Sequence, residues 1–260
     1  MGRGDGAVTE VIGFKGLGHA YRAGAWVFRG YSGSVGKGRI MAVLGPNGRG
    51  KTTLLKLLLG LLRATEGQVK VSGTTAYVPQ LFQAAFDYSV LDMVLMGRAR
   101  RIGLFAQPSA RDESAARAAL DRFGIADLAE RGFQELSGGQ RQLVIFARAL
   151  ASEAEVLILD EPTSALDLKN QALILDWIGR LARDDGMTVL FTTHHPHHAL
   201  AVADEALLML AAERFVAGAA DAVLSEENLL ALYGVPMRKL AFADGVRRVE
   251  TLVPVFTPRR

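Results

Sequence analysis

The sequence contains no cysteine, which excludes disulfides, thiolate metal sites and cysteine nucleophiles. It lacks any block rich in lysine or arginine against a net charge of +3 and a pI near 9.3, so no dedicated nucleic-acid arm is indicated. Long hydrophobic runs are missing too. The most apolar segment, LLKLLLGLL, carries Lys56 and falls well short of the ~20 apolar residues that a bilayer span needs. The N-terminus has no apolar signal core, and Gly6 stands where a myristoylation site would have Ser or Thr. The Arg3-Gly4-Asp5 triplet reads as chance. No repeat, low-complexity tract or linker interrupts the chain, and a soluble protein is expected.

What is present is a large apolar content, 50% of 260 residues, enough for a sizeable core. Short apolar runs alternate with helical patterns, as in βαβ units. IMAVLG (40–45), EVLILD (155–160) and TVLFTT (188–193) are continuous enough for strands buried on both faces, the rule in parallel sheets. TTLLKLLLGLL after the first of them reads as a helix. Between 109 and 151, Ala116, Ala119, Leu120 and Phe123 recur at helical spacing, as do Leu143, Phe146, Ala147 and Leu150. ALLMLAA and RFVAG read as a hairpin around Glu213, and SEENLLALYG as a helix between Ser225 and Gly234. The last twenty residues give no clear pattern.

Gly45-Pro46-Asn47-Gly48-Arg49-Gly50-Lys51-Thr52 satisfies G-x-x-x-x-G-K-[ST], with a strand before it and a helix after it. Such a loop turns successive backbone N–H groups onto phosphates, and the helix N-terminus adds partial positive charge. Lys51 is expected to reach the β- and γ-phosphates and the Thr52 hydroxyl to ligate Mg²⁺. The Arg49 side chain is expected to point to solvent, leaving only its backbone N–H in the cradle. Asp160 ends an apolar strand and supplies the Mg²⁺ acid, and Glu161 beside it is placed to polarise an attacking water. Gln80 closes TTAYVPQ, where a neutral amide could contact both metal and water. THHPHH (193–198) holds four of the five histidines. A metal site lacks a third ligand there. His194 is instead expected on the γ-phosphate, with His195, His197 and His198 on a solvated turn.

In 136-LSGGQRQ-142, Ser137-Gly138-Gly139 opens a helix and offers a second anion site. One chain has one γ-phosphate, already held by its own loop, so a second site makes sense if it serves another copy. With this stretch the chain resembles the nucleotide-binding subunit of an ATP-binding cassette (ABC) transporter over residues 10–235. The resemblance implies an α/β fold: a P-loop NTPase core of the ABC type with a mainly parallel sheet, an antiparallel β region at the N-terminus and a helical subdomain at about 82–150. It implies a single domain over 1–260, with 236–260 as a tail of unassigned structure. It also implies a head-to-tail homodimer holding two ATP molecules, each between one copy's loop and the other's Ser137, Gly138, Gly139 and Gln140. Gly45, Pro46, Asn47, Gly48, Arg49, Gly50, Lys51, Thr52 and Thr53 would contact ATP, and Tyr21 would stack on adenine. Gln80, Asp160, Glu161 and His194 match the family's Q-loop glutamine, Mg²⁺ acid, general base and switch histidine. Ser164-Ala165-Leu166-Asp167 matches the loop crossing the dimer interface. Arg49 departs from the pattern, where small residues are commoner.

With no span of its own, a transporter subunit must find its permease in trans, at the cytoplasmic face of the inner membrane. LFQAAFDYSVLDMVLMGRARRIGLF, between Gln80 and the signature, has the apolar-plus-arginine mix expected of that docking surface. SVLDMVLMGR and LYGVP resemble importers of the iron-siderophore, haem, cobalamin and molybdate type, which work with a substrate-binding protein. Competing readings are an exporter cassette, or an ABC ATPase acting on nucleic acid or ribosomes. The latter usually has paired cassettes, coiled-coil insertions or zinc fingers, and this chain shows no such feature.

Overall fold

The computed structural model describes residues 9–80, 82, 86–103, 106–164, 166–245 and 247–256. The chain opens with two long antiparallel strands, β1 (Glu10–Arg22) and β2 (Ala25–Gly36). It then enters the core as β3 (Ile40–Leu44), turns through the glycine loop into α1 (Lys51–Leu58), and returns to the free edge of β1 as β4 (Glu66–Val71). After β5 (Thr75–Val78) come three helices that pack on one another: α2 (Val90–Leu95), α3 (Ala110–Arg122) and α4 (Gly138–Ala151). The chain then alternates through β6 (Val156–Leu159), α5 (Leu168–Arg183), β7 (Thr188–Thr193) and α6 (Pro196–Val202). It finishes with β8 (Glu205–Ala211), β9 (Arg214–Ala219), α7 (Ala220–Val223), α8 (Glu226–Tyr233), β10 (Met237–Asp244) and β11 (Arg247–Pro254).

Among the described residues the central sheet has six strands in the order β5-β6-β7-β3-β8-β9, all parallel except β9. Every residue of β3, β6 and β7 is buried, because layers cover both faces of these strands. Strand pleating divides β3 between the two layers. Ile40, Ala42 and Leu44 join the core shared with α2–α6, while Met41 and Val43 join the core under α1 and the β2-β1-β4 sheet. This sandwich fixes the end of β3, and with it the glycine loop, between two rigid cores.

Helix ends follow local chemistry. Ser89, Ser109 and Ser137 each cap a helix in a reciprocal box with Asp92, Asp112 and Gln140. Ser225 caps α8, and Gly234 closes it in the left-handed conformation at φ 69°. The helix expected over TTLLKLLLGLL is shorter: α1 stops at Leu58, and Gly60 at φ 69° carries the chain away. Within the C-terminal stretch left unassigned from sequence, β10 and β11 pair as a hairpin, anchored through buried Met237 and Leu252.

Candidate active site

The glycine loop runs from the C-terminal end of β3 to the first residue of α1, the position at which parallel α/β sheets bind ligands. Gly50 sits at φ 99°, and a Cβ there would lie 2.5 Å from Val27 Cγ1. Both the backbone angle and the packing therefore demand glycine. Lys51 is 6% exposed. Its Nζ donates to the carbonyls of Gly45 (2.7 Å) and Pro46 (3.3 Å) and lies 3.0 Å from Glu161 Oε1, so the loop curls around this ammonium.

The two acids follow β6, which runs beside β7, and β7 in turn pairs with β3. Asp160 and Glu161 are both buried, and each is fully engaged. Asp160 accepts hydrogen bonds from the Thr52 hydroxyl (2.8 Å) and the Thr192 hydroxyl (2.7 Å). The Thr192 oxygen also accepts from the Glu161 N–H (2.8 Å), so one hydroxyl sets the orientation of both acids. Glu161 adopts φ 45°, a left-handed angle unusual for this residue type and consistent with strain held at a functional position. Its Oε2 lies 3.0 Å from His194 Nδ1 and accepts from the Gln80 side-chain amide at 3.4 Å; Gln80 also donates to Ser164 Oγ at 3.3 Å.

Tyr21 is 61% exposed, with its hydroxyl 3.1 Å from Thr53 Oγ1. It lines a cleft of about 410 Å³ together with Val27, Asn47, Gly48, Gly50, Lys51, Thr52, Thr53, Gln80 and Glu161. The structure thus gathers into one concavity residues from four separate stretches of sequence. A larger cleft of about 890 Å³, between the N-terminal sheet and the start of β8, shares none of these residues and has no phosphate-binding loop. Ser137, Gly138, Gly139, Gln140 and Asp167 do not line the nucleotide cleft. They form a second locus at the starts of α4 and α5. Ser137 and Gly138 are exposed, Asp167 caps α5 through the Asn170 N–H (2.8 Å), and the Asn170 side chain lies against Gly139. Ala165, in the same loop as Asp167, lies outside the described residues.

A family model for ABC transporters matches residues 28–164, which contain the phosphate loop, the signature and both acids. The chain belongs to the ABC transporter family. It is therefore an ABC ATPase, and it binds nucleotide. It is 46% identical over 251 residues to the molybdate import ATP-binding protein MolC of Haemophilus influenzae, covering 96% of this chain and 97% of that protein. It is 40% identical over 225 residues to a probable iron chelatin transport ATP-binding protein of Helicobacter pylori, covering 81% of this chain and 88% of the relative. In fold it matches a metal-chelate type ABC transporter solved in an inward-facing conformation, with a TM-score of 0.91 and 43% identity over 95% of this chain and 98% of that one.

Two expectations about this ABC ATPase are corrected by the structure. Arg49 is half-buried and does not extend freely into solvent. Its stem lies beside Gly45, where a Cβ would sit 3.5 Å from the arginine Cβ and Cγ, and its Nε is buried without a hydrogen-bond partner among the described residues. The aliphatic stem gains contact by folding inward, while the backbone N–H donates to the Pro46 carbonyl at 3.3 Å. Among the described residues the side chain makes no hydrogen bond or ion pair, so Arg49→Ser is expected to change the KM for ATP by less than about tenfold in steady-state assays.

The histidines after His194 lie at a helix start and not on a turn, and of the three only His197 is exposed while His195 is half-buried and His198 buried. His195 immediately precedes α6 without a side-chain capping bond, and His197 and His198 are within it. His198 is 3% exposed, with Nδ1 3.1 Å from Thr163 Oγ1. Among the described residues no group of three His, Asp or Glu side chains is placed to hold a metal. Burial, reinforced by the neighbouring histidines, pushes His198 from 6.5 down to about 3. The unfolded chain takes up this proton near pH 6.5 and the folded chain resists it. Its contribution to stability is therefore complete above pH 6.5 and is lost as pH falls from there towards 3. His198→Asn is expected to flatten the fall of Tm over that window, read by circular dichroism; an unchanged slope would contradict this assignment.

Thr192, Val27 and Tyr233, whose hydroxyl donates to the His194 carbonyl at 3.1 Å, are site residues that sequence reasoning missed. The signal for Thr192 was available as the polar pair that follows the apolar run Val189-Leu190-Phe191.

Proposed function

We propose that this ABC ATPase is the ATP-hydrolysing subunit of a membrane importer whose cargo is a metal chelate or a molybdate-type oxyanion. The observation that carries this reading is the match to MolC along nearly the whole of both chains. Among the described residues no helix is long and apolar enough to cross a membrane, so the translocation path would belong to separate permease subunits. The chain would then sit peripherally at the cytoplasmic membrane face, and a substrate-binding protein would deliver cargo on the other side. A groove of about 530 Å³ lined by Tyr88, Leu95, Met96, Ile102 and Pro108 supports permease docking on the helical region. Leu81, Gln83–Ala85, Leu104 and Phe105 of that candidate surface lie outside the described residues.

In this reading the whole chain works as one nucleotide-binding domain, with the helical subdomain at about 82–150. ATP stacks its base on Tyr21 and lays its phosphates along the 45–53 loop, with Lys51 on the terminal phosphates. A second copy supplies Ser137, Gly138, Gly139, Gln140 and Asp167 across the interface. Each signature gains an anion only in the closed dimer, and that differential affinity draws the copies together. Glu161 takes the proton of the attacking water, Gln80 orients that water, and His194 holds the γ-phosphate.

The donor set fits Mg²⁺: the Thr52 hydroxyl and the Asp160 carboxylate are 2.8 Å apart, both hard oxygen ligands, and Mg²⁺ typically takes one or two carboxylates beside substrate phosphates. Thr52 and Asp160 would hold the ion with Gln80 nearby, and it would neutralise phosphate charge. Purifying the tagged full chain from its native membranes in mild detergent and identifying its companions by mass spectrometry tests the proposal. A many-spanning permease is the expected companion. Ribosomal or DNA-repair proteins, or no membrane partner, would overturn transport while leaving the ATPase chemistry in place.

A further inference from the structure

The LYG wording near the C-terminus has a physical counterpart that the ATPase chemistry leaves unused. Tyr233 ends α8, packs against the main core, and donates its hydroxyl to the His194 main-chain carbonyl at 3.1 Å. His194 lies between the last residue of β7 and the start of α6, outside either element's ladder. A second tie to the same peptide is the His195 N–H, which donates to Thr193 Oγ1 at 3.0 Å. The two bonds hold the peptide on either side of the His194–His195 step. With that peptide plane fixed, the Cα–Cβ bond of His194 is aimed so that Nδ1 meets Glu161 Oε2 at 3.0 Å.

We infer that Tyr233 is a positioning residue for His194: through one hydrogen bond to the main chain, the C-terminal helix sets the aim of the switch imidazole. Burial and the nearby Glu161 carboxylate both push the Tyr233 phenol up, so its hydroxyl stays protonated and remains a donor. The helix that carries it is itself held at both ends, by Ser225 and by Gly234, and leads within a few residues to the anchored Met237 of β10. The hydroxyl is therefore presented from a fixed scaffold, and no described residue of the C-terminal segment lines the nucleotide cleft.

This inference rests on the reading of His194 as the group that acts on the γ-phosphate, and the test separates the two. Three variants of the full chain, Tyr233→Phe, Tyr233→Leu and His194→Ala, are compared with the parent for kcat, KM for ATP and Tm. Tyr233→Phe keeps the ring and loses only the hydroxyl; because a displacement of about an ångström at a reacting group costs up to ~10²-fold, its kcat is expected to fall about tenfold. Its KM should stay within about twofold of the parent, the signature of an interaction expressed after binding. If His194→Ala loses turnover but Tyr233→Phe keeps it, the positioning role is overturned and the reading of His194 stands. If Tyr233→Phe is harmless and Tyr233→Leu lowers kcat, KM and Tm together, the tyrosine only fills space and the inference fails. If His194→Ala turns over ATP normally, the role of His194 itself is wrong and the inference falls with it.

Discussion

Glu161→Gln is expected to lower ATP turnover by about 10²-fold or more while ATP binding survives. The two side chains have nearly the same shape, so the cleft keeps its walls and Gln80 keeps its neighbour. What disappears is the proton-accepting carboxylate and its negative charge. In the wild-type protein that charge is 3.0 Å from Lys51 and therefore competes with incoming phosphate for the same ammonium. The amide removes the competitor, so ATP should bind at least as well as before. With binding intact and the chemical step blocked, the ATP-bound dimer should accumulate and elute ahead of the monomer in size-exclusion chromatography. Normal phosphate release from a monomeric variant would show that another group takes the proton.

The parts of this site that were legible in the sequence are those whose chemistry is local. The phosphate loop is read from eight consecutive residues because the turn, the glycine angles and the helix start all lie within them. The acid pair follows from Asp160 and Glu161 being adjacent at the end of an apolar strand. Strands β3, β6 and β7 announce themselves because burial on both faces leaves no alternative to continuous apolar residues. What escaped depends on pairing between distant residues. Thr192 binds Asp160 from 32 positions away, and Tyr233 reaches His194 from 39. Neither spacing has a period or motif to betray it.

Side-chain direction escaped for a related reason. Arg49 was legible as an intruder in the loop, but its course depends on its stem packing beside Gly45, which the motif does not encode. The histidine run looked solvated because imidazole is polar. Yet Pro196 at the first turn of α6 favours a helix there, and the helix puts His198 inside. In the C-terminal hairpin, exposed Leu240 and Phe242 alternate with Lys239 and Ala241, so the strand lacks the contrast between an apolar face and a polar face that would mark it.

Lys51→Ala is expected to eliminate measurable ATP binding, a loss of about 10²-fold or more for a buried cation that meets phosphate charge directly. The structure adds a second effect, because Lys51 and Glu161 form a buried pair, 6% and 8% exposed. Removing one partner strands the other; breaking such a pair typically costs about 3–5 kcal/mol, so the single variant should also melt at a lower temperature. A loss of binding could then be blamed on partial unfolding. The double variant Lys51→Ala/Glu161→Gln separates the two effects, since it leaves no uncompensated charge. Its Tm should recover most of the loss, while titration calorimetry with ATP should still show no binding. If the double variant binds ATP once its stability returns, Lys51 serves only to neutralise Glu161, and the phosphates are held by the backbone N–H groups of the loop and the helix start alone.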